Sequence, residues 1–411
     1  MFDADFIANP YPAYRELLET GRVHWVDYLG GAWLVPHYDD TMALLRDTRL
    51  SAERMDAYMQ LFSAEQQASL QTVFRCINLW MVSMDGERHL HLRRRISKGF
   101  TPRTVENLRP HIQNLTNVLI DKMIEQAGPE GNIELMKQLA HPMPAMVIAQ
   151  LLGVPFEDQS KFVEWADELA AFIGSANPTY EQAVVGQNAV ISMINYFESI
   201  VAERRVNPSD DLISQLISAD KPEDILTAEE LFSQCVMFLM GGHETTRNTI
   251  ANGLQTLLQH PDQVELLRRN PGLMRGAVEE MVRHESPVQI IARIALEDFE
   301  FQGAQIKRGQ TVAVVLGAAN RDPKQFPDPD RFDITRIGSR PVSFGHGPHI
   351  CIGMALSYME AEIAINTLLQ RLPDLRLVNA TPDWLPSYLF RSLRSLPLRF
   401  DPQGKELERA A

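Results

Sequence analysis

One helix, long enough to cross a domain and apolar around its whole circumference at the centre, sets the architecture of this chain. Thr227-Ala-Glu-Glu230 has the form of a capping box, in which the Thr hydroxyl and the Glu carboxylate each satisfy an orphan backbone N–H at a helix start. From there a helical pattern runs to His260-Pro261, over thirty residues, which is ~50 Å at the rise of an α-helix. Its middle, Cys235-Val-Met-Phe-Leu-Met240-Gly241-Gly242, has no polar side, so the helix threads a core rather than riding on one. That apolar run falls well short of the roughly twenty residues a bilayer span needs, and no membrane segment is expected.

Just past the centre stands Gly241-Gly242-His243-Glu244-Thr245-Thr246. Two glycines inside a helix cost roughly 2 kcal/mol relative to alanines. They also remove bulk, so a flat ligand could lie against the backbone. The Thr245 hydroxyl can bond the carbonyl of Gly241 four residues back, which tends to bend or open a helix. An acid beside an alcohol at such an opening could relay protons. The structural alternative is a kink with Glu244 facing solvent. A zinc-protease reading of His243-Glu244 fails, because the second histidine that motif needs would stand at 247, and that residue is Arg247.

A chain of 411 residues can bury a core large enough to enclose a sizeable cofactor. No internal repeat, low-complexity tract or linker divides it, so residues 1–411 are expected to form one mainly α domain with a small β region, 403–411 being a frayed tail. The net charge of −14 argues against a nucleic-acid partner, since phosphates call for a positive field. Three scattered cysteines, Cys76, Cys235 and Cys351, suit a reducing compartment. With no basic-then-apolar leader at the start, the expected location is the cytoplasm.

Along the chain, a helix near Tyr11–Thr20 leads to strand-like runs at Arg22–Tyr28 and Ala32–Pro36, joined by the turn pair Gly30-Gly31. Residues 51–83 read as short helices and loops covering something apolar. Helices then dominate, over 87–99, 101–127, 144–152, 158–173 and 181–205, broken at Gly153-Val-Pro155, Asn177-Pro178 and Asn207-Pro208. Strand signals return at Phe299–Phe301, Thr311–Leu316, Leu375–Val378 and Leu396–Phe400.

Phe344-Gly-His-Gly-Pro-His-Ile-Cys351-Ile-Gly353 precedes an amphipathic helix. A cysteine at a helix start meets unpaired N–H groups and the positive end of the dipole, which lower a thiol's pKa. A thiolate in a sheltered loop is an axial haem ligand that pushes electron density toward bound oxygen. The structural alternative is an inert cysteine in a turn. The spacing F-G-x-G-x-H-x-C-x-G, carried by Phe344, Gly345, Gly347, His349, Cys351 and Gly353, resembles the haem-binding loop of the cytochrome P-450 family. Gly241, Gly242, Glu244 and Thr245 resemble that family's oxygen-activation segment. The motifs run in the family's order from about residue 85 to the C-terminus.

The resemblance implies haem b, iron protoporphyrin, held by Cys351 between the central helix and the cysteine-loop helix. It makes His89 and Arg93, one helical turn apart, with Arg293 and His349, the partners of the haem propionates. Glu280 and Arg283 resemble the family's E-x-x-R pair, and Arg331 its second arginine, all three supporting the cysteine loop. Glu244 and Thr245 would guide protons during oxygen activation. The proline often found before His89 is missing, and Gly241 stands where Ala is more usual. Arg94, Arg95 and Lys98 form either a solvated helix face or a docking patch for an acidic electron donor.

The reaction implied is insertion of one oxygen atom from O2 into a small hydrophobic or amphipathic substrate. No G-x-G-x-x-G follows a strand, so electrons are expected from a ferredoxin, or a flavodoxin, with its reductase. Candidate pocket segments are Leu79–Val82, Trp165–Ile173, Met237–Met240, Val288–Ile291 and Tyr388–Phe390. Two alternatives stand beside this reading: a peroxide-driven haem peroxygenase, and a non-catalytic module with His346, His349 and Cys351 as zinc ligands.

Overall fold

The architecture comes from a computed structural model, described here over residues 4–27, 31–175, 178–218, 225–336, 338 and 340–404. The expected turn residue Gly30, the strand end Tyr28, the break at Asn177 and the tail beyond 404 lie outside the described residues.

The central helix forms as its sequence requires, over Ala228–Leu258. Thr227 accepts from the Glu230 N–H at 3.2 Å and the Glu230 carboxylate accepts from the Thr227 N–H at 3.0 Å, closing the capping box. The helix stops where Pro261 opens the next one, Pro261–Arg269. It stays α-helical through Gly241-Gly242, so the glycine pair opens its surface without breaking it. Around it pack helices Pro142–Leu151, Gln159–Ile173, Tyr180–Val206, Met274–His284 and Met354–Arg371. Their inward faces and the central helix share one hydrophobic core.

Residues 51–83 do form short helices, Met55–Met59, Ala64–Ser69 and Gln71–Asn78, followed by a 3-10 turn at Met81–Ser83. Phe62, Val73, Phe74 and Ile77 from this stretch are buried in the main core, which is why their spacing shows no clean period. The helix Gly86–Ser97 then presents His89 and Arg93 on adjoining turns of one face.

A five-stranded sheet lies to one side in the order His24–Val26, Ala32–Val35, Thr311–Val315, Ile290–Ala295, Leu50–Ser51. The pairing of Ala32–Val35 with Thr311–Val315 is parallel and the others are antiparallel. Strand Ile290–Ala295 is not among the strands expected from the sequence. It runs beside the strongly β-prone Thr311–Val315, which explains how its mixed residues are held extended. The register sets Arg293 opposite Val312 and keeps its side chain buried. No described helix is long and apolar enough to cross a membrane.

Candidate active site

Burial along the central helix locates the site. From Leu231 to Leu257 every residue is buried except Gly241, Gly242 and Thr245. Gly241 and Thr245 are four residues apart and therefore share a face. A methyl group on Gly241 would meet nothing within 4 Å, so that face borders open space in the middle of the fold. Gly242 does something different. A methyl group there would stand 2.5 Å from Ile148 Cγ1, so this glycine lets helix Pro142–Leu151 approach closely and clears no room for a ligand. The Thr245 hydroxyl donates to the Gly241 carbonyl at 2.6 Å, as its position predicts.

Cys351 borders open space as well. Its loop is closed by the Cys351 N–H donating to the Phe344 carbonyl at 2.9 Å, and the Phe344 ring packs on Tyr358. Gly345 and Gly347 hold φ of 71° and 72°, a region that side chains strain to adopt. The Cys351 side chain is exposed by area, yet burial is the largest influence on its thiol and pushes its pKa up. Both are true of a group on the wall of an interior cleft. The N–H groups of Gly353 and Met354, at the start of helix Met354–Arg371, and the Arg93 guanidinium act the other way. The dipole argument from sequence thus has the right sign but is outweighed by burial. A thiol in that position ionises when a metal ion coordinates it. Thr246 Oγ1 donates to Ser357 Oγ at 3.2 Å, pinning the central helix to the helix that follows Cys351.

At the edge of this cleft the fold gathers cations with little to neutralise them. His89 is buried and stacks on His349, ring centroids 4.0 Å apart. Burial, then the charge of His349, pushes its pKa down to about 4, and its Nε2 has no hydrogen-bond partner among the described residues. Arg93, half-buried, has its pKa lowered by burial. Arg293 is pushed down to about 10 by burial and by Arg54, and its Nη1 donates to the Ala292 carbonyl. Among the described residues, Asp85 is the carboxylate that acts on His89 and Arg293. Burial raises its pKa, but His349, Ser51 and the Ala52 N–H outweigh that and bring it to about 2. Arg54 and Asp85 were missed by sequence reasoning, since Arg54 lies thirty-nine residues from Arg93 with no motif around it. Buried cations and an orphaned imidazole of this kind fit an anionic group such as a pair of carboxylates.

Glu244 does not face solvent. Its Oε1 accepts from Arg247 Nη2 at 2.5 Å, Asn248 Nδ2 at 3.2 Å and Ser392 Oγ at 3.0 Å, all buried. His243 is buried too, its pKa pushed down to about 3, mainly by burial.

Glu280 and Arg283 pair through two hydrogen bonds of 2.7 and 2.8 Å, essentially free of solvent. The second arginine is not Arg331, whose side chain is 67% exposed and only 3.6 Å from Asp333. Arg336 takes that place, its Nε 3.2 Å from Glu280 Oε2. Arg331 contributes its backbone carbonyl, which accepts from Arg283 and Arg336. Arg95 is likewise no surface charge: it is buried and donates to the carbonyls of Leu216 and Ser218, while Arg94 is exposed. The alternative zinc set of His346, His349 and Cys351 does not assemble, because His346 contacts Arg46 and His349 contacts Asp85 and His89. Of the pocket segments, Leu79–Val82 is tied to the central helix through Gln234, and Met237–Met240 is core. Val288 bridges Phe390, joining two other segments.

A mainly helical protein with an accessible thiol at the start of one helix, an opened face on its buried central helix and half-buried or buried cations acting near that thiol is the class that the fold and site define. The family model described as Cytochrome P450 matches residues 28–374, and the chain belongs to that family. It is 40% identical to the cytochrome P450 monooxygenase PikC of Streptomyces venezuelae, over 98% of this chain and 94% of that protein. It is 38% identical to the 6-deoxyerythronolide B hydroxylase of Saccharopolyspora erythraea, over 96% of this chain and 97% of that one. Among solved structures, P450BioI in complex with hexadec-9Z-enoic acid ligated acyl carrier protein superposes with a TM-score of 0.88 at 37% identity, covering 97% of this chain and 100% of that one. The protein is accordingly an oxidoreductase acting with incorporation of oxygen, of a family whose cofactor is haem bound through thiolate.

Proposed function

We propose that the chain, working as one domain, is a haem b monooxygenase in which Cys351 is the axial ligand and the substrate is a hydrophobic or amphipathic small molecule. One observation carries the reading. Cys351 is accessible at the start of helix Met354–Arg371, the buried central helix is opened at Gly241 and Thr245, and Arg93 acts on the thiol. The bound haem supplies the iron at which O2 is activated for transfer of one oxygen atom.

The residues of the chain do the rest. Arg93, Arg293, His89 and His349 bind the propionates, and a carboxylate beside His89 gives its orphaned nitrogen a partner. Gly241 leaves space against the helix backbone, and the buried collar around it excludes water. Thr245 Oγ1 holds a proton that it now donates to the Gly241 carbonyl, and can turn it toward the cleft. Glu244, held through its Oε1 by Arg247, Asn248 and Ser392, passes protons on through its other oxygen. Electrons come from a ferredoxin or flavodoxin and its reductase. Hydroxylation is the reaction stated in one relative's name, and a carrier-bound fatty acid is present in another's structure, which supports a largely aliphatic substrate.

The test is the spectrum of the reduced, carbon monoxide-bound protein. The wild type should show thiolate ligation and Cys351→Ser should lose it. A thiolate signature that persists in Cys351→Ser sinks the assignment.

A further inference from the structure

Away from the cleft, the described residues contain one gathering of metal-type donors: His141, Asp167 and His243. We propose that these three bind a borderline divalent cation, zinc foremost, as a structural tie between three helical segments.

The donors come from separate parts of the fold. His141 ends a π-helical turn, Met136–Ala140, Asp167 sits on helix Gln159–Ile173, and His243 sits on the central helix. One ligand atom from each lies within 4.8 Å of the others. His141 Nε2 is already 2.7 Å from Asp167 Oδ1, and the two imidazole centroids are 4.7 Å apart. Donors around a tetrahedral zinc at bond lengths near 2 Å stand about 3.3 Å apart, so side-chain adjustment suffices to close the set.

The backbone places His141 here by an unusual turn. Its N–H donates to the Met136 carbonyl five residues back, and Pro142 and Pro144 follow. Such π turns are rare and recur at functional sites. The turn points the His141 carbonyl at His243 Nε2, 3.0 Å away. A carbonyl can only accept, so His243 carries its proton on Nε2 and keeps a bare lone pair on Nδ1. That Nδ1 is buried and without a partner, in a residue only 1% exposed. A buried acceptor left unmatched calls for an explanation, and a cation provides one.

Access and charge agree with this. The side chains of His141 and Asp167 are 24% and 44% exposed, so a cation can enter from solvent while His243 forms the floor. Besides His141 itself, Arg247 is the positive group acting on His243, and its charge is matched by Glu244. Two imidazoles and one carboxylate select zinc-like ions, with water in the fourth position, over calcium or magnesium, which take six or more oxygens. A bound ion would tie helix Gln159–Ile173 to the central helix one residue before Glu244 and two before Thr245, restraining the segment that borders the cleft.

The experiment uses the haem-loaded enzyme, so that Cys351 is occupied, stripped with a chelator and titrated calorimetrically with zinc chloride. Wild type should bind one equivalent and melt higher with zinc present. His141→Ala and, independently, the milder Asp167→Asn should each weaken binding at least about 10-fold and lose the zinc-dependent melting shift. Calcium and magnesium should do nothing, and an unchanged haem spectrum in both variants shows the fold intact. Uptake equal in affinity and stoichiometry across all three proteins, or none by the wild type, overturns the site.

Discussion

Replacing Arg336 and Arg331 separately by alanine sets the packing of the Glu280 cluster against its linear motif. Arg336 Nε lies 3.2 Å from Glu280 Oε2, Nη1 donates to the Pro327 carbonyl at 2.7 Å, and Nη2 donates to the Asp328 and Arg331 carbonyls at 3.2 and 3.1 Å. Its side chain is 13% exposed. Arg336→Ala therefore removes one charge-assisted contact to Glu280 and leaves the Pro327 carbonyl to find water, while the Asp328 and Arg331 carbonyls keep the Arg331 N–H and Arg283 as partners. Glu280 keeps its two bonds to Arg283 and the N–H of Asp333 at 3.0 Å, so it is not stranded. Hydrogen bonds to charged groups contribute about 1.5–3 kcal/mol, which puts the loss at roughly 2–3 kcal/mol. Arg331→Ala deletes a mostly exposed side chain, and should cost under about 0.5 kcal/mol. For a chain of 411 residues the larger figure is roughly a 3 °C drop in melting temperature and the smaller is near the noise. Urea midpoints and thermal melts of the two variants, side by side, read the difference. Equal losses, or a larger one for Arg331→Ala, would refute the reasoning.

Three further outcomes are expected. Thr245→Ala should bind substrate normally but yield less product per electron, the remainder appearing as peroxide; a full yield removes Thr245 from proton delivery. The two neighbouring glycines should part company in thermal melts. Gly242→Ala meets Ile148 and should lose about 1–3 kcal/mol to overpacking, whereas Gly241→Ala should gain up to about 1 kcal/mol from helix propensity while narrowing the cleft, visible as altered spectral binding of bulky ligands. Arg94→Glu should slow reduction by a ferredoxin most at low ionic strength, and Arg95→Glu should fail to accumulate folded protein because it buries a carboxylate where the guanidinium donated to the carbonyls of Leu216 and Ser218.

The readable parts of the site are those whose chemistry is contiguous. The cysteine loop packs its glycines, its ligand and the start of the next helix into ten residues, so each constraint on the backbone leaves its mark beside the others. The central helix is legible for the same reason, since a capping box and an unbroken apolar centre are local signals. Strand Ile290–Ala295 was invisible because its extended state is imposed by its neighbour, Thr311–Val315. The motif points to Arg331 while Arg336 reaches Glu280, because motif spacing in a loop says nothing about which side chain turns inward. Arg95 looked like its exposed neighbour Arg94 because one residue along a helix is a rotation of about 100°.

From its sequence alone the chain had a long internal helix, a cysteine poised before another helix, and a helical majority with a small sheet, because hydrogen bonding and burial patterns repeat over a few residues. Only the tertiary structure decided what each of those residues faces. It turned Glu244 toward Arg247 and Ser392, gave one glycine to the cleft and its neighbour to Ile148, and brought His141, Asp167 and His243 together across 102 residues of chain. Contacts between distant segments depend on how whole helices pack, and that packing is a collective property which no local stretch encodes.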